Sequence, residues 1–379
     1  MPIKIPVVDC ENPENLPEKL PVQVGDFRVG RFRLFGGIRS GCELFVADSD
    51  QARAVICPTR GMSLWRARLG GIDCQWRSPV QGPIHPAWVP VDDPSGIGWL
   101  DGFDELLVRC GLRSFGAPDF DDRGRLLYPL HGRIGNLPAD NIQVEVDEQT
   151  GSLVISGDVY ETRFLVYNLK LQAEYRLTLG QPIIALKDRV TNLAGVPASM
   201  QMLYHINFGQ PVLSGGAKLH LAAPQIVARD VRARADIETW ATYLPPTSGY
   251  AEQVYFSQPP SDTQGWAHTL LTDGQSSRGV AVRFKSDSLP CFTQWKNTAS
   301  EADGYVTGLE PGTGFPNPRS FEQKQGRVVE LQAGECRDFE IEIEGVSQAS
   351  RIAQQISAIQ RLQGDHPPRL LPSRPDWCG

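Results

Sequence analysis

Three side chains that can transfer protons stand far apart in the chain: His131, His205 and Glu310. They lie in the sequences YPLHGRIGNLPA, MQMLYHINFGQP and YVTGLEPGTGFPN. Histidine exchanges protons near neutral pH, and a carboxylate that is shielded from water has a raised pKa. Side chains of this kind, gathered around one substrate, could act as general acids and bases.

The local patterns also leave structural roles open for these residues. Glu310 is expected at the mouth of a loop rich in glycine and proline, where solvated surface carboxylates are common. In the strand predicted around His205, the residues Gln201, His205 and Asn207 share one face. Such a stripe could line a pocket, hold a satisfied buried histidine or face solvent. The alternation alone favours a structural role.

The elements that must position these residues are predicted to be β-strands. From Leu169 to Leu179, LKLQAEYRLTL alternates strictly between apolar and polar residues, which is typical of a half-buried antiparallel strand. PIIALKDRVTNL follows a Gly-Gln-Pro break and completes a hairpin. Further strands are predicted in VEVDEQTGSLVISG, SMQMLYHINFG, GVAVRFKS and CRDFEIEIEGV. Residues 347–363 show the three- and four-residue spacing of a helix.

We predict a single β-supersandwich domain over residues 1–379, because no repeat, low-complexity block or linker divides the chain. A Pro-rich N-terminal segment covers residues 1–20, and an extended Pro-rich tail, residues 364–379, follows the helix. Two stacked domains remain an alternative. The tail would lie on the body of the protein or on a partner, which leaves a homodimer open.

Composition narrows the classes of function. The net charge is −7 and Lys and Arg are scattered, which argues against nucleic acid as a partner. No apolar run approaches ~18 residues, so no membrane span is predicted. The N-terminus lacks the apolar core of a secretory signal. The eight cysteines form no CxxC pair, which predicts free thiols in a reducing cytoplasm and no metal site.

A family resemblance emerges from three of the quoted segments. TGLEPGTGFPN resembles the glutamate loop of the aldose 1-epimerases, or galactose mutarotases. YPLHGRIGN is similar to the His-Gly segment of that superfamily, and LYHINFG to its strand histidine motif. The order His, His, Glu and the wide spacing agree as well. The resemblance implies an all-β fold, a large antiparallel β-supersandwich, to which the sequence adds a short C-terminal helix.

The resemblance also implies an activity, mutarotation of a small-molecule carbohydrate, which needs no cofactor and no metal. The α and β anomers interconvert through the open-chain aldehyde. By this resemblance Glu310 is the base, His205 is the acid, and His131 supports the ring oxygen or a neighbouring hydroxyl. A nearby carboxylate is expected to help keep His205 charged.

Further residues are candidates for holding the sugar. Arginine side chains could bind hydroxyls or an anionic group, and a tryptophan could stack on the apolar face of a sugar ring. Glu252, in GYAEQVYF, stands nearest to the position of the family's sugar-binding aspartate. The segment GWLDGFDELLVRCG precedes the first histidine as the family's arginine segment does. The predicted substrate-binding residues are His131, Arg60, Arg133, Asn207, Glu252, Trp295, Asp101 and Arg109.

The chain departs from the family pattern where substrate is contacted. Gly312 and Thr313 replace the usual glutamine after the glutamate motif, and Asn317 stands where an aspartate is expected. The predicted substrate is therefore an unidentified sugar, modified or anionic, rather than glucose or galactose. The main alternative is a non-catalytic carbohydrate-binding or sensing protein, although a binder needs no acid and base. A third and less favoured alternative is a lyase or hydrolase. A glycosidase would need paired carboxylates, for which only Glu310 and Glu252 are candidates.

Overall fold

The computed structural model of the protein describes residues 3–379, most of which lie in β-strands or in the turns between them. The strands are β1 (Val7–Cys10), β2 (Val22–Val24), β3 (Phe27–Leu34), β4 (Glu43–Asp48), β5 (Ala52–Cys57), β6 (Ser63–Leu69), β7 (Ile72–Asp73), β8 (Leu107–Leu112), β9 (Asp119–Phe120), β10 (Leu126–Tyr128), β11 (Ala139–Asp147), β12 (Ser152–Arg163), β13 (Tyr167–Thr178), β14 (Ile183–Asn192), β15 (Ala198–Phe208), β16 (Lys218–Leu221), β17 (Gln225–Ala228), β18 (Gln253–Ser257), β19 (Trp266–Thr272), β20 (Gly279–Lys285), β21 (Cys291–Asn297), β22 (Val306–Gly312), β23 (Val329–Leu331), β24 (Cys336–Val346) and β25 (Arg369–Leu371). The helices are α1 (Val231–Ala235), α2 (Arg319–Lys324) and α3 (Ala349–Gln363).

Two large sheets organise the described residues. The larger sheet follows the order β1-β3-β4-β5-β6-β8-β15-β22-β21-β18-β17-β25, with β2, β7 and β23 attached beside this path. The smaller sheet follows the order β11-β12-β13-β14-β24-β20-β19-β16. The strand pairs are antiparallel, apart from β1 on β3 and β25 on β17. The predicted all-β, antiparallel sandwich is confirmed.

The alternating sequence of β13 shows why these strands form. Leu169, Leu171 and Tyr175 are fully buried on one face, while the polar residues between them are at least partly exposed. Because side chains repeat every two residues along a strand, this pattern buries one face of the smaller sheet against the larger. The predicted hairpin of β13 with β14 is present.

Arg109 links the two sheets through a buried hydrogen-bonded network. Its guanidinium, on β8, donates to Asp188 on β14, with Nη2 and Oδ1 2.9 Å apart, and to the Tyr175 hydroxyl on β13 at 2.8 Å. The Tyr204 hydroxyl on β15 donates to the same carboxylate at 2.8 Å. This placement corrects the expectation that Arg109 binds substrate. The N–H groups of Arg109 are therefore occupied by partners between the two sheets. This space lies on the face of β15 opposite His205.

The C-terminal helix and tail follow the body of the protein. The helix α3 begins at Ala349 and buries Ile352 and Ile359. The short helices α1 and α2 were not predicted, because five or six residues carry too little periodic signal. The tail adds β25 in parallel to β17. Met1 and Pro2 of the predicted N-terminal segment lie outside the described residues, and the single domain stays a prediction.

No helix within residues 3–379 is long and apolar enough to cross a membrane. The cytoplasmic location and the homodimer stay predictions.

Candidate active site

Three neighbouring strands of the larger sheet, β15, β22 and β21, carry the candidate site on one face. The continuous register of β15 against β22 places His205 across from Glu310. Two residues further along β15, Asn207 pairs with Gly308, and Gly308 pairs in turn with Trp295 on β21. Because residues two apart share a face, all five side-chain positions lie on the side of the sheet away from Arg109.

Glu310 lies inside a strand and not in a loop. The strand β22 runs through Gly312 because it pairs with β15 on one side and with β21 on the other. The expectation of an uncovered carboxylate at a loop mouth is therefore wrong, since Glu310 is only 2% exposed. Pairing of both edges of β22 keeps this segment extended, although its glycine and proline residues are typical of a loop.

His205 and Glu310 form a buried pair whose orientation is fixed by Asn207. Nε2 of His205 lies 3.3 Å from Oε1 of Glu310. The two atoms are not aligned as a hydrogen bond, and Oε1 has no other hydrogen-bond partner among the described residues. The other ring nitrogen, Nδ1, lies 2.5 Å from Oδ1 of Asn207. Nδ2 of Asn207 donates to the backbone carbonyl of Glu105 at 3.0 Å, which leaves Oδ1 as the acceptor. Nδ1 therefore carries the hydrogen in the neutral imidazole, and Nε2 is the nitrogen that titrates.

Burial controls the protonation of the pair. Burial raises the pKa of Glu310 well above its usual value, and the nearby charge of Glu252 raises it further, while Arg229 opposes the shift. Burial lowers the pKa of His205 well below its usual value, and His131 lowers it further. The raised pKa of Glu310 and the lowered pKa of His205 both favour uncharged side chains near neutral pH. The proton is then on the carboxyl group, and Nε2 of His205 carries none. These directions of the pKa shifts oppose the expectation that a nearby carboxylate keeps His205 charged.

His131 completes the group of proton-transferring side chains. It has a left-handed backbone conformation, with φ of +57°, on the segment between β10 and β11. Its Nδ1 donates to the carbonyl of Phe115 at 2.8 Å, which leaves Nε2 as an acceptor. Its ring lies 5.2 Å from that of His205. Burial lowers the pKa of His131 to about 4, so this half-buried imidazole is neutral near pH 7.

Aromatic rings surround the two histidines. Trp99 lies 4.5 Å from His131, Phe103 lies 5.0 Å from His205, and Trp295 lies 5.4 Å from His205, measured between ring centroids. Apolar faces of this kind suit the C–H faces of a sugar ring. Trp99 and Phe103 are 1% and 7% exposed and pack together in a buried apolar cluster, with the partly buried Trp295 packed against it.

Glu252 lies at the exposed rim of the site. One carboxylate oxygen accepts from Nε1 of Trp295 at 2.7 Å, and the other accepts from Arg229 at 2.9 Å. The structure therefore brings Glu252 and Trp295 together beside the buried pair. Arg229 was missed, since its only sequence signal was a charge in a strand-to-helix connection.

Three predicted substrate-binding residues are placed elsewhere. Arg60 is fully buried and donates to Glu105 at 2.6 Å, to Asn136 at 2.7 Å and to two backbone carbonyls. Arg133 pairs with Asp92. Asp101 is exposed on the short 3-10 turn Gly98–Gly102. The placement of Arg60 corrects the expectation that it binds substrate, because its N–H groups are occupied by other groups of the protein. Arg133 and Asp101 are not brought to the His205–Glu310 pair by any contact among residues 3–379.

No three His, Cys, Asp or Glu side chains between residues 3 and 379 are grouped as a metal site requires. The prediction that no metal or cofactor is used stays a prediction.

Comparisons with known proteins identify the family to which this chain belongs. A family described as "Domain of unknown function (DUF4432)" matches residues 39–344. A crystal structure of a provisionally named aldose 1-epimerase from Klebsiella pneumoniae shares 34% identity over 92% of this chain and 91% of that chain, with a TM-score of 0.88. None of the curated proteins matches the chain.

More distant structures show the same fold. A galactose mutarotase-like protein from Clostridium acetobutylicum is 12% identical over 85% of this chain and 99% of that chain, with a TM-score of 0.58. A provisionally named aldose 1-epimerase from Escherichia coli is 13% identical over 81% of this chain and all of that chain, with a TM-score of 0.52. The fold is thus the galactose mutarotase-like sandwich. The chain belongs to the DUF4432 family, within the aldose 1-epimerase-like superfamily.

Proposed function

We propose that the protein is a mutarotase that interconverts the α and β anomers of a sugar. The observation that carries this proposal is the buried pair of Glu310 and His205, whose oxygen and nitrogen lie 3.3 Å apart on adjacent strands. One proton donor and one proton acceptor stand side by side, which is the set of groups that ring opening requires. The provisional name of the Klebsiella relative agrees with this function.

The reaction returns the pair to its starting state. The acceptor removes the proton from the anomeric hydroxyl while the donor protonates the ring oxygen, and the bond between C1 and the ring oxygen breaks. The aldehyde turns about the C1–C2 bond. The reverse proton transfers then close the ring on the other face, so that no net charge or atom is gained or lost.

The pKa shifts support one starting position of the proton. Because burial favours a neutral pair, Glu310 begins as the donor to the ring oxygen and Nε2 of His205 begins as the acceptor. These roles are the reverse of those that the family resemblance implies. They exchange when the ring closes. Each positioned group contributes about 10²- to 10⁴-fold in rate.

The surrounding residues would hold the sugar over this pair. The partly buried Trp295 offers an apolar ring face, and Nε2 of His131 and the carboxylate of Glu252 offer acceptors for hydroxyl groups. Acceptors that bind hydroxyls orient the substrate for the proton transfers. The modified or anionic character of the sugar stays a prediction.

The test is anomer exchange measured by saturation-transfer NMR across free, phosphorylated and acidic sugars. Wild type should accelerate the exchange of at least one sugar, and Glu310→Gln should lower that rate by about 10²- to 10⁴-fold. Glutamine is nearly isosteric with the neutral carboxyl group. The melting temperature of Glu310→Gln should therefore stay close to that of wild type, so that a lost rate reflects lost chemistry and not lost fold.

Glu340→Gln, on β24 of the smaller sheet, is the matched control and should keep the wild-type rate. An unchanged rate in Glu310→Gln would show that the proton donor lies elsewhere. Sugar binding without faster exchange would identify a carbohydrate-binding protein instead. A change in the mass of the sugar would identify a lyase or hydrolase.

A further inference from the structure

A cavity lies beside the segment that carries His131. Its volume is about 190 Å³ and it is open to solvent. One wall is the segment of residues 127–133, another is the chain that leaves β8, and the third is the tip of the β12–β13 hairpin. We call this cavity the hairpin pocket and define it by Arg113, Ser114, Tyr128, Arg133, Glu161 and Arg163.

The hairpin pocket contains more positive than negative charge. Glu161 is the acidic residue of its lining, and its carboxylate already accepts from the backbone amide of Leu112 at 2.6 Å. Arg133 forms an ion pair with Asp92. Neither Arg113 nor Arg163 forms an ion pair within residues 3–379, so two guanidinium groups in the lining have no carboxylate of their own.

Arg113 is held in place but keeps free donors. Its guanidinium lies over the ring of Tyr167, 4.5 Å from the centroid, and one of its nitrogens donates to the Tyr128 hydroxyl at 3.1 Å. A guanidinium has five N–H donors in a planar fork, which suits carboxylate and phosphate oxygens. Two tyrosines thus fix an arginine whose remaining donors are available to a ligand.

Ser114 follows Arg113 directly in the lining. The residue is only 1% exposed, it belongs to the lining, and its hydroxyl has no hydrogen-bond partner within the described chain. A buried hydroxyl without a partner is costly. Because the hydroxyl oxygen itself is buried, a ligand in the pocket does not reach it.

We propose that the hairpin pocket binds a small oxyanion, a phosphate or carboxylate group, through Arg113 and Arg163. The anion could be free in solution or could be part of a phosphorylated or acidic sugar. Neither His205 nor Glu310 lines the pocket, and binding of free phosphate there does not depend on mutarotation.

The position of the pocket predicts an influence on the active site. Gly132 and Arg133, which follow His131 directly, form part of the lining. The same segment is tied to β8, where the backbone of Arg133 donates to Gly111 at 2.9 Å and Gly111 donates to the carbonyl of His131 at 3.2 Å. A bound anion would therefore join β8, the His131 segment and the β12–β13 hairpin.

Thermal unfolding in inorganic phosphate, at an ionic strength held constant with sodium chloride, tests the proposal. Wild type should show a saturable rise in melting temperature. The double variant Arg113→Gln/Arg163→Gln should lose that rise, with apparent affinity weaker by about tenfold or more. Arg163 is exposed, so Arg163→Gln alone offers a milder variant, which should also bind phosphate more weakly.

Arg123→Gln/Arg234→Gln removes the same charge from exposed positions outside the pocket and should bind phosphate as wild type does. An equal, non-saturating rise in all variants would show a general salt effect and overturn the proposal. Equal saturable binding in wild type and in the Arg113→Gln/Arg163→Gln variant would also overturn it.

Glucose 6-phosphate distinguishes the two sources of the anion. If the sugar phosphate competes with inorganic phosphate for the pocket, and the Arg113→Gln/Arg163→Gln variant raises KM for that sugar alone, the pocket binds the phosphate of the sugar. If inorganic phosphate binds without such competition, the pocket holds a free anion. Loss of exchange in Glu310→Gln bears on the mutarotase proposal alone, since phosphate binding needs no turnover.

Discussion

At the scale of single residues, Asn207 decides which nitrogen of His205 exchanges protons. Asn207 was predicted to bind substrate, but it is fully buried. Both the oxygen and the nitrogen of its side-chain amide form hydrogen bonds within the protein. Oδ1 accepts from Nδ1 of His205, and Nδ2 donates to the carbonyl oxygens of Glu105 and His205. Asn207 is therefore a positioning residue. It holds Nε2 toward Glu310 and keeps that nitrogen free of hydrogen in the neutral ring.

A carboxylate in place of this amide should move the acid limb of the pH profile. The pair is active while it holds one proton, so activity falls at low pH when Nε2 also becomes protonated. In Asn207→Asp the carboxylate beside Nδ1–H stabilises the imidazolium and raises the pKa of His205. The acid limb should then lie at higher pH than in wild type. Anomer exchange measured across pH is the readout.

The position of the limb is more informative than the absolute rate in this variant. The aspartate cannot donate to the two carbonyl groups, which should lower the free energy of unfolding by about 1–3 kcal/mol. Asn168→Asp, on β13 of the smaller sheet, controls for added charge and should leave the acid limb in place. An unmoved limb in Asn207→Asp would contradict the assignment of Nε2 as the exchanging nitrogen.

At the scale of elements, the register of three strands brings the pair together. His205 and Glu310 meet because β15 and β22 are hydrogen-bonded neighbours, and a shift of one residue would turn one of them to the opposite face. Gly308 makes room for this arrangement. A Cβ at that position would lie 2.4 Å from Oε1 of Glu310 and 3.2 Å from Cε1 of His205.

Gly308→Ala should therefore displace the carboxyl group and lower the rate of anomer exchange. A methyl group this close to Oε1 forces the Glu310 side chain to move, and proton transfer depends steeply on position, so we expect a loss of about 10²-fold. The exchange rate and the melting temperature are measured together. Gly195→Ala, where an added Cβ meets nothing within 4 Å, should keep the wild-type rate. Full activity in Gly308→Ala would show that the observed position of Glu310 is not required.

At the scale of the whole molecule, local patterns predicted the strands, but contacts between distant residues determined the roles of the charged groups. Alternation from Leu169 to Leu179 identified β13, because one buried face produces a period of two. Arg60 and Arg109 could not be interpreted in this way. Their acidic partners stand 45 and 79 residues away in sequence, and only the folded chain brings them together. The loop predicted at Glu310 was wrong for the same reason, since the partners of β22 come from β15 and β21.

The C-terminal tail is another long-range contribution to the site. Trp377 is 5% exposed and packs on Phe315, in the turn that follows β22, with ring centroids 4.7 Å apart. Asn317 donates to the carbonyl of Trp377 at 2.8 Å and accepts from the amide of Gly379 at 3.0 Å. Asn317, which stands where the family has an aspartate, is thus used to hold the tail against the end of the strand that carries Glu310.

Removal of this contact should affect both stability and activity. Trp377→Ala leaves a cavity beside Phe315, which should lower the free energy of unfolding by about 3 kcal/mol. Because Phe315 is three residues beyond Gly312, the end of β22 should loosen and anomer exchange should fall. Ile359→Ala in α3, which is 4% exposed, should destabilise to a similar extent without changing the rate. Thermal unfolding and exchange rates, both measured well below the melting temperature, compare the two variants. Equal exchange rates in the two would show that the tail stabilises the sandwich but does not support the Glu310 strand.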